Sequence, residues 1–209
     1  MWEHPREIDV VLADDSEHFR HGLSAVLATE PDLHVVGEAA DGDTLIDLVD
    51  RLAPDVAVVD LRMPGTGGVA AIAAVRAVSP VTRVVVLTVS DDDEDLLAAI
   101  VAGAHGYLLK DSAIEQVPIA IREVLEGGAP LSPAVAAALW SEYSSLLAAG
   151  RVPEALHPTE EGILRLLSQG ASPGQIATSL DIPPPVVSHE LRDLVEKVHL
   201  VSRVVAAGG

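Results

Sequence analysis

Five short apolar runs, each followed by a longer amphipathic stretch, fill the first 126 residues of this 209-residue chain. The runs are Ile8–Ala13, Leu33–Ala39, Asp55–Asp60, Thr82–Thr88 and His105–Leu109. Three of them are nearly continuous in Val, Ile, Leu and Ala, the pattern of strands buried on both faces. The stretches that follow, about 16–28, 43–52, 67–78, 93–103 and 113–126, carry helical periodicity. Five strand–helix units in succession predict an α/β fold: a doubly wound, five-stranded parallel sheet with helices on both faces.

The pattern changes after Gly127-Gly128. Ser132-Pro133 reads as an N-cap followed by proline at the first helical position, and about fifteen helical residues follow to Ala149. Gly150 to Pro153 reads as a flexible joint. Three further helices are expected at about 159–169, 173–180 and 184–198, the second opened by a capping box over Ser172 to Gln175. The expected organisation is therefore a domain over 1–128, a helical linker over 129–154 and a small all-α domain over 155–209.

Charge and composition narrow the function. The formal net charge is −19. Residues 1–130 hold 8 basic against 24 acidic side chains, and residues 153–209 hold 4 against 7, so neither end offers a basic nucleic-acid patch. There is no cysteine, which excludes thiolate metal sites, disulfides and a cysteine nucleophile. No apolar run approaches the ~20 residues that span a bilayer. No signal-peptide pattern opens the chain. A soluble cytoplasmic protein without a membrane partner is expected.

Ligands of an open parallel sheet bind beyond the carboxyl ends of its strands. Asp14 and Asp15 follow the first strand, Asp60 closes the third, Thr88 closes the fourth and Lys110 follows the fifth. The topology would bring these scattered residues to one rim. Three carboxylates in one pocket repel each other unless a cation sits among them. All-oxygen ligation with open positions suits Mg²⁺. A carboxylate can then attack phosphorus and form an aspartyl phosphate, with the metal and a lysine offsetting charge on the moving group. The Thr88 hydroxyl could turn towards a new phosphate oxygen.

Residues 8–126 resemble a response-regulator receiver domain. The matching text is Val-Leu-Ala-Asp-Asp (11–15), Asp-Val-Ala-Val-Val-Asp-Leu-Arg-Met-Pro-Gly (55–65), Val-Val-Leu-Thr (85–88) and Ala-Gly-Ala-His-Gly-Tyr-Leu-Leu-Lys-Asp (102–111). The resemblance implies that Asp60 is the phosphoacceptor. Asp14 and Asp15 would hold the metal, joined by the backbone carbonyl of Arg62. Thr88 would be the switch hydroxyl, Tyr107 its coupled aromatic and Lys110 the partner of Asp60 or its phosphate. Activity would be limited to self-phosphorylation and dephosphorylation rather than turnover of a substrate.

Other polar clusters carry less. The acidic run Asp91 to Asp95 lacks the spacing and glycine of a calcium loop and reads as a solvated helix N-terminus. Gly65, Gly67 and Gly68 read as a turn that needs positive φ. His18 and His21 share a helical face but have no evident third ligand.

Residues 156–203 resemble the helix-turn-helix domain that ends the NarL/FixJ (LuxR-type) response regulators. The matching text is Leu-His-Pro-Thr-Glu-Glu-Gly-Ile-Leu-Arg-Leu-Leu-Ser-Gln-Gly (156–170), Gln-Ile-Ala-Thr-Ser-Leu-Asp-Ile (175–182) and Leu-Val-Ser-Arg (200–203). Val187, Leu191, Leu194 and Val198 follow at core spacing. The family usually has threonine where His157 stands and glutamate where Gly162 stands, and both changes should weaken the first helix. It normally has lysines at 188 and 196 and a histidine at 190, where this chain has Ser188, Glu196 and Glu190. Ser188, His189, Arg192 and Lys197, with Arg203, are left as DNA contacts. The resemblance implies a homodimeric transcriptional regulator, phosphorylated by a sensor histidine kinase and bound to double-stranded DNA. The acidic recognition helix favours an alternative, a regulator that signals through protein contacts without specific DNA binding.

Overall fold

A computed structural model of the chain describes residues 7–89, 93–110, 114–148, 156–184, 186–191, 193, 194 and 197. Five parallel strands form one sheet: β1 (Ile8–Ala13), β2 (Leu33–Ala39), β3 (Val56–Val59), β4 (Arg83–Thr88) and β5 (Gly106–Leu109), in the order β2-β1-β3-β4-β5. Helices α1 (Glu17–Leu27), α2 (Gly42–Leu52), α3 (Gly68–Val78), α4 (Asp93–Ala102) and α5 (Val117–Leu125) follow them in turn. The expected strand–helix alternation is what forms.

Its chemistry is the pleat. Along β3, Ala57 and Val59 face one apolar cluster with Leu45, Val49, Ile72 and Val75, from α2 and α3. Val56 and Val58 face another with Leu23, Leu27, Val117 and Ile121, from α1 and α5. Both sets are almost wholly buried, so the strand must be apolar at every position.

Element ends differ slightly from expectation, for local reasons. Asp55 lies outside β3, and its carboxylate accepts the Asp9 amide at 3.0 Å. Thr82 precedes β4 and donates its hydroxyl to the Pro54 carbonyl at 2.7 Å. The last helical segment of the first domain begins as a single 3-10 turn, Ile114–Gln116, before α5. Pro118 near the start of α5 has no N–H to donate to an earlier turn.

The chain beyond α5 adds to the sheet. The Tyr107 amide donates to the Pro130 carbonyl at 2.7 Å, and the Ser132 amide donates to the Tyr107 carbonyl at 2.9 Å. Leu131 thereby forms a parallel bridge to Tyr107. A side chain at Gly106 would block this pairing, since its Cβ would lie 2.7 Å from Pro130 Cγ. Ser132 then caps α6 (Pro133–Ala148), its hydroxyl accepting the Val135 amide at 3.4 Å.

Helices α7 (Pro158–Ser168) and α8 (Pro173–Leu180) follow. The described residues between 184 and 197 are helical, with Val187, Leu191 and Leu194 buried against Ile163, Leu164 and Ile176. The joint at Gly150–Pro153, Val198 and the 200–203 segment lie outside the described residues.

The start of α7 shows what the two departures do in place. His157 does cap this helix. Its ring accepts the Thr159 amide at 3.4 Å, and Glu160 returns to the His157 amide at 2.6 Å. At Gly162 a Cβ would sit 3.2 Å from Leu180 Cδ2, so the glycine lets α8 approach closely.

Candidate functional site at the carboxyl rim

Register puts the acidic residues together. Ala13 pairs with Val59, and the Asp60 amide continues that ladder by donating to the Ala13 carbonyl at 2.8 Å. Asp14 and Asp60 therefore leave adjacent strands side by side. On the far side Thr88 pairs with Leu109, and the Lys110 amide donates to the Thr88 carbonyl at 2.8 Å. Asp14, Asp15 and Asp60 each offer a carboxylate oxygen within 4.8 Å of the others. Asp14 and Asp60 are buried and Asp15 is exposed, which leaves the cluster one open side.

Lys110 holds the two buried carboxylates. Its Nζ donates to Asp60 Oδ2 at 2.8 Å and also pairs with Asp14 Oδ2. The ammonium lies 4.5 Å from the centroid of Phe19, which covers it with an aromatic face. Burial alone would push the Lys110 pKa down. The hydrogen bonds to Asp14 and Asp60 outweigh it and hold the pKa above the usual 10.5. Burial dominates at Asp14 and raises its carboxyl above 3.8, with Lys110 opposing.

The loop after β3 is fixed by close backbone contact. At Gly68 a Cβ would lie 2.4 Å from both the Asp60 carbonyl oxygen and Leu61 Cα. The Gly68 amide donates to the Leu61 carbonyl at 3.1 Å. Gly65 and Gly67 take the expected positive φ, +75° and +72°; Gly68 is demanded by space instead. Arg62 lies in this loop with its side chain exposed, 3.8 Å from Asp95.

Thr88 and Tyr107 are wholly buried. The Tyr107 hydroxyl donates to the Ala104 carbonyl at 2.9 Å, and burial pushes its pKa well above 10. The strand-end argument thus brings Asp14, Asp15, Asp60 and Lys110 together and sets Thr88 on the neighbouring strand. It missed Phe19 and Arg20. Both lie on α1 within six residues of Asp14, a spacing that only the packing of α1 on the sheet makes meaningful.

The proposed DNA contacts have separate fates. Ser188 Oγ lies 3.5 Å from Glu123 Oε1 on α5, so this face of the helix meets the first domain. His189 is exposed, its ring 3.6 Å from Asp193. Lys197 Nζ is 2.9 Å from both Glu160 oxygens, which ties it into its own domain. Arg192 and Arg203 lie outside the described residues.

A parallel sheet of this order with an acidic rim and a buried lysine defines a receiver. Comparison with known proteins agrees. Residues 10–122 match the family model described as "Response regulator receiver domain". The chain is 36% identical over 199 residues to the nitrate/nitrite response regulator protein NarL of Escherichia coli K12, covering 95% of this chain and 92% of that protein. The RcsB response regulator of Salmonella typhimurium shares the fold along 97% of this chain and 99% of its own, with TM-score 0.60 and 24% identity. A second RcsB structure, solved as a complex with DNA, aligns with TM-score 0.58 and 26% identity over 93% of each chain. The chain belongs to the response regulators, and within them to the NarL (LuxR-type) group. Among the described residues, no helix is long and apolar enough to cross a membrane.

Proposed function

We propose that this chain is a phosphorylation-controlled, DNA-binding transcriptional regulator whose phosphoacceptor is Asp60. The observation that carries this reading is the placement of the Asp60 carboxylate. It is buried, bonded to Lys110 through one oxygen, and grouped with Asp14 and Asp15 within 4.8 Å. In this reading an Asp60 oxygen attacks the phosphorus of a phosphohistidine on a sensor histidine kinase. The P–N bond breaks, and the imidazole leaves and takes up a proton from solvent.

The donor set fits a hard divalent cation. It is all carboxylate, open on the Asp15 side, and includes buried oxygens that only a cation or Lys110 can balance. Asp14, Asp15, Asp60 and the Arg62 carbonyl would hold Mg²⁺, which supplies charge neutralisation at the phosphoryl oxygens when bound. Lys110 remains the fixed positive partner of Asp60. Thr88, buried on the strand whose carbonyl receives the Lys110 amide, would respond to the new charge together with Tyr107.

The route outward runs through β5. Tyr107 is paired on its open edge to Pro130 and Ser132, and Ser132 caps α6. A shift of Tyr107 therefore reaches the linker helix through two backbone hydrogen bonds. The Ser188 contact with Glu123 sets the helix containing Ser188 and His189 against α5. Activation would separate these surfaces and free that helix to enter the major groove as part of a homodimer. Support comes from the relationship to NarL and the likeness to a DNA-bound RcsB. In a gel-shift selection with phosphorylated protein and random duplexes at low salt, a sequence-selective complex lost in Arg192→Ala is expected. No selective complex under any phosphorylation state would overturn the DNA-binding half.

A second reading is a regulator that acts through protein contacts. Glu190 and Asp193 stand on this helix, and Lys197 is held by Glu160. The same selection decides between the two.

A further inference from the structure

We propose that Arg20 is a positioning residue of the cation site, holding Asp14 in its ligating pose from behind. The inference rests on the assignment of Asp14, Asp15 and Asp60 as that site.

Arg20 is the fourth residue of α1, six positions after Asp14, and α1 returns it to the strand ends. Its Nη1 donates to the Asp14 backbone carbonyl at 2.6 Å. Its Nε lies 3.5 Å from Glu38 Oε2 near the end of β2, and the side chain is only 14% exposed. One guanidinium thus staples α1 to two strand ends at the acidic rim. Asp14 is then fixed at four points. Its amide donates to the Ala39 carbonyl at 3.1 Å and its carbonyl accepts from Arg20. Oδ1 accepts the Ser16 amide at 2.9 Å, and Oδ2 meets Lys110. Three of these bonds are explained by strand pairing, the helix start and the lysine. The bond from Arg20 has no such general cause.

A second observation points inwards. Among the described residues, two buried side-chain polar atoms have no hydrogen-bond partner: Asp60 Oδ1, and Arg20 Nε, which has only its ion-pair contact with Glu38. Their residues line the same small cavity of about 10 Å³, with Asp14 and Phe19. Arg20 therefore serves the site by clamping the Asp14 backbone from α1. A neutral side chain of similar length would fill the space without the clamp.

The test uses the full-length protein and Mg²⁺ alone, titrated by calorimetry, with thermal unfolding measured in EDTA. Removing a group that orients a metal ligand typically weakens binding by about 10-fold or more. Arg20→Met is expected to bind Mg²⁺ about 10-fold more weakly than wild type, while Arg20→Lys, which can still donate to the Asp14 carbonyl, stays within about 3-fold. The Ser16 amide, which reports the Asp14 carboxylate, should exchange faster in Arg20→Met. Glu38→Gln should leave Mg²⁺ affinity near wild type. Equal Mg²⁺ affinity in Arg20→Met, with only the melting temperature lowered, would make Arg20 a structural brace and overturn the inference. Absence of Mg²⁺ binding in wild type, or unchanged binding in Asp14→Asn, would overturn the site assignment and the inference with it.

Discussion

Lys110 stands between Asp14 and Asp60, and its removal would leave two buried carboxylates facing each other. Breaking a buried pair on one side costs about 3–5 kcal/mol, so Lys110→Ala should unfold at markedly lower temperature in EDTA at neutral pH. Asp14 sets the sign of the pH response. Its pKa in the fold is raised, chiefly by burial. The folded chain thus holds this proton to higher pH than the unfolded chain, and the loss in Lys110→Ala should shrink as pH falls through that window. Thermal unfolding from pH 7 to pH 5 checks this; a deficit that grows on acidification contradicts it. Gly68 is the second sensitive residue. An added methyl would meet backbone at 2.4 Å, which cannot yield as a side chain can. Gly68→Ala should cost about 1–3 kcal/mol and slow phosphorylation by a small phosphodonor. At this scale the sequence was informative where chemistry sits at strand ends, as with Asp60 and Lys110. It was silent on Arg20, whose partners are a backbone carbonyl and a glutamate eighteen positions on.

Elements explain how a local event could travel. The β5 edge would otherwise present unpaired backbone groups; residues 130–132 cover it at Tyr107. Gly106→Val should displace that segment. The Tyr107 and Ser132 amides would then exchange faster while those of β3 stay protected, and Asp60 would still take up phosphate. Uniform loss of protection would show that the segment is integral to the sheet instead. On the opposite side, Arg122 of α5 donates to Asp32 and Glu30 in the turn before β2. These bonds raise its pKa, and they hold the Asp32 carboxyl below its usual value. Arg122→Ala should lower stability by about 1 kcal/mol, less at high salt, because the pair is partly exposed. The five strand–helix units were legible because period-two and helical patterns alternate without interruption. The edge pairing was not. Ala129 to Ser132 carries no strand periodicity, and only the room made by Gly106 reveals a partner.

Across the whole molecule, the contact of Ser188 with Glu123 joins the two domains at the helix proposed to contact DNA. Burial raises the Glu123 pKa, and Glu126 adds to it, while the Ser188 hydroxyl opposes. The one contribution that comes from across the contact, the Ser188 hydroxyl, thus favours the ionised acid. Glu123→Gln should stay compact at neutral pH, seen as a smaller radius by small-angle scattering than a Ser188→Trp protein. Equal radii would remove the contact as a latch. The two-domain order was legible from the break at Gly127-Gly128 and the capping signals beyond it. The contact between domains was not, because a serine and a glutamate 65 residues apart share no pattern. Asp60 is the residue on which phosphorylation control depends. The most direct measurement is peptide mass mapping of full-length protein treated with acetyl phosphate and Mg²⁺. The account predicts one phosphoryl group on the peptide containing Asp60, absent without Mg²⁺ and absent in Asp60→Ala. The same modification in Asp60→Ala, or none in wild type, would contradict it.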